Sequence, residues 1–142
     1  MEKRLEVDIQ VIIHATEDLQ KILDSFKEMF GVDEEDFAVQ NLQGHFENPI
    51  LFLQCKLKKK KSRGFVKALT ENISNEERQE IIDDLENRCD QSALFLRISK
   101  QGLVQKRVYL ADQDPVKLKI YTPIYTQKDL IRTYSAIMQG TV

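Results

Sequence analysis

The chain has 142 residues, 42% of them hydrophobic and 31% charged, with a formal net charge of −2. That length suits one domain able to bury its own core without staples, and two cysteines with two histidines exclude the recurrent Cys/His spacings of zinc modules. The opening MEKRLEVDIQ holds no apolar run of signal-peptide length, and nothing approaches the ~18 apolar residues of a membrane span, so the expectation is a cytoplasmic protein with no membrane partner and reduced thiols at Cys55 and Cys89.

Taken in chain order, LEVDIQVII (5–13) alternates, with Leu5, Val7, Ile9, Val11 and Ile13 on one face, and predicts a half-buried strand. Thr16 reads as the N-cap of a helix on which Leu19, Ile22, Leu23, Phe26, Met29 and Phe30 keep helical spacing, and Gly31 is placed to end it. VDEEDF reads as an acidic loop, FAVQNL (37–42) as a short strand, and PILFLQCKL (49–57) as a strand with Leu51, Leu53, Cys55 and Leu57 inward. Between them, NLQGHFENPI gathers a glycine, a histidine, an aromatic, a carboxylate and an Asn-Pro step. Gly44 permits positive φ, and Pro49 holds Asn48 extended. This stretch is either a pre-organised turn or a ligand-contacting loop.

The lysine run KLKKKKSR reads as a solvated charge cluster or a phosphate-contacting loop, leading into Phe65, Val66, Leu69 and Ile73 at helical spacing. Ser74-Asn-Glu-Glu77 is a capping box that opens a helix burying Ile81, Ile82 and Leu85. SALFLRIS (92–99), LVQKRVYL (103–110) and VKLKIYT (116–122) read as three strands, with Gly102 in a tight turn. Thr126 caps a last helix carrying Leu130, Ile131, Tyr134, Ile137 and Met138, and Gly140 closes it. The order β-α-β-β-α(α)-β-β-β-α, with short turns between strands, predicts one α+β domain over 1–142. Its two layers are an antiparallel sheet and helices packed on one face.

Charge is segregated along this order: residues 1–40 carry −7, 53–70 carry +7, 71–90 carry −6 and 91–142 carry +5. A chain near neutrality overall can therefore present a basic surface to a polyanion. Strand parity turns Phe95 and Arg97, Lys117, Lys119 and Tyr121, and Arg107 and Tyr109 towards the uncovered sheet face. Cations and aromatics alternate there as they do on sheets that read single-stranded RNA, where phosphates are neutralised and bases stacked. The same pattern also suits a solvated face or a protein-docking face. No phosphate-binding glycine loop, HExxH or GxSxG occurs, and no Ser or Cys near His45 makes a triad. The reading is accordingly non-enzymatic, with no catalytic residue, metal or cofactor.

HATED (14–18), GHFENPI (44–50) and LFLRISKQ (94–101), in that order and spacing, resemble an archaeal family of small RNA-binding proteins labelled predicted exosome subunits. The resemblance runs from about residue 5 to the C-terminus. It implies a fold similar to the ribosomal protein that binds 5S RNA, an antiparallel sheet with helices on one side. In the second motif Gly44, His45, Asn48, Pro49 and Ile50 match, while Phe46 and Glu47 depart from it. In the third Leu96, Arg97, Lys100 and Gln101 match, and Ser99 stands where Asp is usual. Together these expectations assign phosphate contacts to Arg97, Lys100, Lys117, Lys119, Arg107, Arg63 and the run Lys58, Lys59, Lys60 and Lys61. Stacking falls to Phe95, Tyr109 and Tyr121, and His45 with Asn48 shapes or touches the ligand. The partner is RNA, single-stranded or structured, with RNA-processing proteins or the exosome beyond it. The alternative is a module docking on protein through the sheet face or an edge strand.

Overall fold

A computed structural model describes residues 4–42 and 50–140. The helices are α1 (Leu19–Phe30), α2 (Lys59–Asn72), α3 (Asn75–Asp83), α4 (Leu85–Arg88), α5 (Lys100–Val104) and α6 (Gln127–Met138). The strands β1 (Glu6–Ile13), β2 (Phe37–Leu42), β3 (Ile50–Lys58), β4 (Cys89–Asp90), β5 (Ala93–Ser99) and β6 (Pro115–Tyr121) form one sheet in the order β2-β3-β1-β6-β5-β4, with every neighbouring pair antiparallel. This is the two-layer α+β architecture that the alternation predicts.

Parity decides the layers. On the central strand β1, Val7 and Ile9 are fully buried and Val11 and Ile13 nearly so, each side chain contributing about 1.5–3 kcal/mol by leaving water. They meet Leu53, Cys55 and Leu57 of β3 and Leu118 and Ile120 of β6, and the apolar faces of the helices close over them. Stacked Phe30 and Phe65, with ring centroids 4.4 Å apart, join α1 to α2. Tyr134 of α6 is fully buried, its hydroxyl lying 2.5 Å from the Ser92 carbonyl and 3.0 Å from that of Ile120.

Local signals hold at most ends. Gly31 takes φ 69 at the end of α1, the Ser74 hydroxyl accepts from the Glu77 amide, and Thr126 caps α6. Four readings change. The N-cap of α1 is Asp18, whose carboxylate accepts from the Lys21 amide, and Thr16 lies in the turn before it. The acidic loop contains a 3-10 turn, Glu34–Asp36. The lysine run is no loop, because Lys58 ends β3 and Lys59–Lys61 form the first turn of α2. The strand expected over 103–110 is replaced by α5 and a loop that touches β5 through a single bridge, Ile98 to Leu110. Ser99 causes this change: its hydroxyl accepts from the Gly102 amide and starts a helix where alternation suggested a turn.

Candidate nucleic-acid interface

On the face away from the helices, register lines the outward side chains into rows across the strands. One row runs Phe95, Lys119, Asp8, Lys56; the next runs Arg97, Lys117, Gln10, Gln54; a third runs Ala93, Tyr121, Glu6, Lys58. Directly opposed residues in such rows stand close enough for their side chains to interact. The Lys119 ammonium lies 5.9 Å from the centre of the Phe95 ring, which is 44% exposed. Arg4 lies over Tyr121 at 5.7 Å, and its Nε donates to Glu6 at 2.6 Å.

The opposed cations of the second row favour an anionic ligand. Arg97 faces Lys117 across β5 and β6, and neither has an ion-pair partner among the described residues. Opposed like charges destabilise a sheet unless an anion lies between them. Asp8 Oδ1, between Lys119 and Lys56, is buried with no hydrogen-bond partner among the described residues; as an acceptor it invites an N–H or O–H donor and not a phosphate oxygen.

The other expected residues divide. Lys58 is exposed on the open face, and Lys59, Lys60 and Arg63 are exposed on α2. Lys59 has φ 55, and α2 has no side-chain cap, so its positive N-terminal end carries lysines where acids would be favourable. Lys61 is already engaged, donating to Asp36 at 2.7 and 2.9 Å and to Asp33 at 3.2 Å. Bonds to Asp36 and then Asp33 raise its pKa, and bonds from Lys27 and Lys61 lower that of Asp33. Arg107 and Tyr109 lie off the sheet in the loop after α5. Arg107 sits 5.7 Å over the Tyr109 ring, which packs so closely on Gly102 that a Cβ there would meet it at 2.4 Å. His45 and Asn48 lie outside the described residues.

Lys100 departs furthest from expectation. It is 2% exposed, and its ammonium donates to the Ile12 carbonyl at 2.6 Å and Glu17 at 2.8 Å and pairs with Asp114 at 2.8 Å. No phosphate reaches it there. His14, Glu17 and Asp114 bring possible metal-ligand atoms within 4.8 Å of one another, but Lys100 supplies the positive charge between the carboxylates. Burial pushes Asp114 up, yet Lys100 and then His14 outweigh it, leaving its pKa below the ordinary 3.8.

The sequence reading missed Lys56, Asp8 and Gln10. The alternation of β1 already turns Asp8 and Gln10 to the polar face, and the same parity on β3 adds Lys56; none was counted in the site, although these strands supply half of each row. Both cysteines are free, and burial raises the Cys55 thiol to about 12 and the Cys89 thiol to about 11, so they are protonated at neutral pH. Among the described residues no helix is long and apolar enough to cross a membrane.

The fold and the face together define a small α+β domain with a basic, aromatic-bearing open sheet. The family model described as RNA binding matches residues 6–122, and the chain belongs to that family. The chain is 27% identical over 129 residues to RNA-binding protein PAB1135 of Pyrococcus abyssi, covering 86% of this chain and 84% of that protein. Among solved structures it is similar to the DUF54 protein AF2318 of Archaeglobus fulgidus, at 28% identity and TM-score 0.77, covering 93% and 97% of the two chains. The DUF54 protein SSO0741 of Sulfolobus solfataricus gives 26% identity and TM-score 0.77, covering 96% and 99%.

Proposed function

We propose that this chain binds RNA, without turning it over, on the open face of its sheet. The observation that carries the reading is the pair of adjacent rows Phe95–Lys119–Asp8–Lys56 and Arg97–Lys117–Gln10–Gln54. Arg97, Lys117, Lys119, Lys56 and Lys58 neutralise phosphates, and Lys59, Lys60 and Arg63 extend the path at the start of α2. Phe95 and Tyr121 offer rings to unpaired bases. Family membership and the name of the Pyrococcus abyssi relative support the same ligand. The test is anisotropy of a labelled unpaired RNA and a labelled hairpin with the variant K117E/K119E and, as control, K128E on α6. We expect at least a ten-fold loss for the first and less than two-fold for the second. Equal losses would remove the open face from the reading.

A second reading is a protein partner at the β2 edge, an RNA-processing assembly such as the exosome included. It is favoured by Val39, Leu42 and Ile12, which are 53%, 37% and 38% exposed at one end of the sheet. Such binding would resist salt and would be lost in Val39→Asp while RNA affinity stayed unchanged.

A further inference from the structure

Beside the basic rows, the free edge of β5 opens into a cleft of about 650 Å³. β4 is only two residues long and the loop after α5 meets β5 only around the Ile98–Leu110 bridge, so the edge is uncovered between the Phe95 carbonyl and the Arg97 amide. Ser99 donates to the Tyr109 carbonyl and Ala111 donates to the Arg97 carbonyl, which shows that odd residues of β5 turn their backbone groups to this edge. By strand alternation the Phe95 carbonyl and the Arg97 amide are directed at the cleft.

Its two sides differ in charge. Phe95, Arg97 and Lys117 border it on the open face, whereas Glu80, Asp84, Asp90 and Asp112 line the side formed by α3, α4, β4 and the loop at 110–112, where Arg88 offsets Glu80 and Asp84 and leaves Asp90 and Asp112 as the net acidic charge. Asp84 is tied to Asn87 at 2.7 Å and stands 3.1 Å from Arg88 Nε, while Asp90 and Asp112 have no ion-pair or hydrogen-bond partner among the described residues. An acidic wall repels phosphate and welcomes N–H donors, and a basic mouth does the reverse. A nucleotide entering here is therefore oriented, with its phosphate at Arg97 and Lys117, its ring on Phe95 and its donor edge towards the carboxylates.

Resting on the RNA-binding reading, we propose that this cleft receives one unpaired nucleobase extruded from an otherwise structured RNA, with guanine preferred. Guanine presents an adjacent N–H and NH₂ that one carboxylate accepts together, whereas uracil offers a single N–H between two carbonyls and leaves the wall unpaired. The volume lies within the range of about 300–1,000 Å³ common for small-molecule sites. The exposed Phe95 ring supplies the stacking partner that an unstacked base requires.

The experiment compares three labelled hairpins of the same stem, one fully paired, one with a single bulged guanosine and one with a bulged uridine. Each is titrated with the wild type, with Phe95→Leu, and with D90N/D112N. Cys89, which lines the cleft, serves as a position marker through its alkylation rate at mildly alkaline pH, where a thiolate fraction forms. We expect the bulged guanosine to bind at least ten-fold tighter than the paired stem and to slow alkylation of Cys89. We expect Phe95→Leu to erase that advantage, read as the ratio of bulged to paired affinity in the same variant, and D90N/D112N to erase the preference for guanosine over uridine. Salt-sensitive binding of all three hairpins alike would overturn the cleft proposal and leave RNA binding standing. So would a bulge advantage that survives both variants. Slower alkylation of Cys89 by an added peptide and by no RNA would assign the cleft to protein instead. Failure of every RNA to bind would end both readings.

Discussion

Lys100 shows how one side chain can match a motif and serve a different purpose. Its ammonium is the only cation contacting the Ile12 carbonyl and Glu17 among the described residues, so removing it leaves Glu17 Oε1 with the His14 amide alone and the Glu17 and Asp114 carboxylates without the cation between them. Lys100→Met should destabilise the fold by about 3 kcal/mol, the low end for breaking a buried pair because Asp114 is half exposed. Urea unfolding reads that loss, and RNA affinity measured where both proteins are folded should change less than two-fold. The same tie sets an acid limit. The folded Asp114 pKa lies below 3.8, so its stabilising share is present above that value and is lost as pH falls through the folded pKa. Unfolding followed from pH 5 downwards should show this loss in the wild type and a smaller one in Asp114→Asn.

At the scale of elements, the proposed RNA reading would set stability against binding in α2. Lysines at its first turn face the positive end of the helix dipole, a placement that costs stability. Lys60→Glu should raise stability by roughly 0.3–1 kcal/mol and weaken RNA binding, measured by thermal melting and anisotropy on the same preparation. A drop in stability would show that the dipole argument fails for this helix. The elements that alternation, helical spacing or a capping box revealed are β1, β2, β3, β5, β6, α1, α2, α3 and α6, most of them with their partners along one face. The error at 103–110 has a long-range cause. Val108 is buried and Leu110 half-buried, as a strand would have them, but α5 is only five residues long and shows no helical period. It is fixed by the Ser99 cap and by the reach of Lys100 to Ile12, 88 positions away. The lysine run was equally opaque, because the acids Asp33 and Asp36 that engage Lys61 lie in a separate segment. Phe95, Arg97, Lys117 and Lys119 were legible because parity alone places them, while their meeting with Lys56 and Asp8 depended on the strand order.

Over the whole molecule, a net charge of −2 conceals an arrangement with purpose. Much of the acid sits in α1, the 3-10 turn, α3 and α4, and the cations of β3, β5 and β6 gather on the opposite side of the sheet. A polyanion meeting this surface displaces counterions for each phosphate it pairs, so affinity must fall as salt rises, whatever the RNA sequence. The decisive measurement is the affinity for a labelled RNA hairpin between ~50 and ~200 mM salt, for the wild type and for Lys117→Ala and Lys119→Ala. With about four to six phosphates engaged on the open face, log affinity should fall against log salt with a slope of roughly −3 to −5, and each substitution should reduce that slope by about one. A slope near zero, or slopes that ignore both substitutions, would contradict RNA binding on this face.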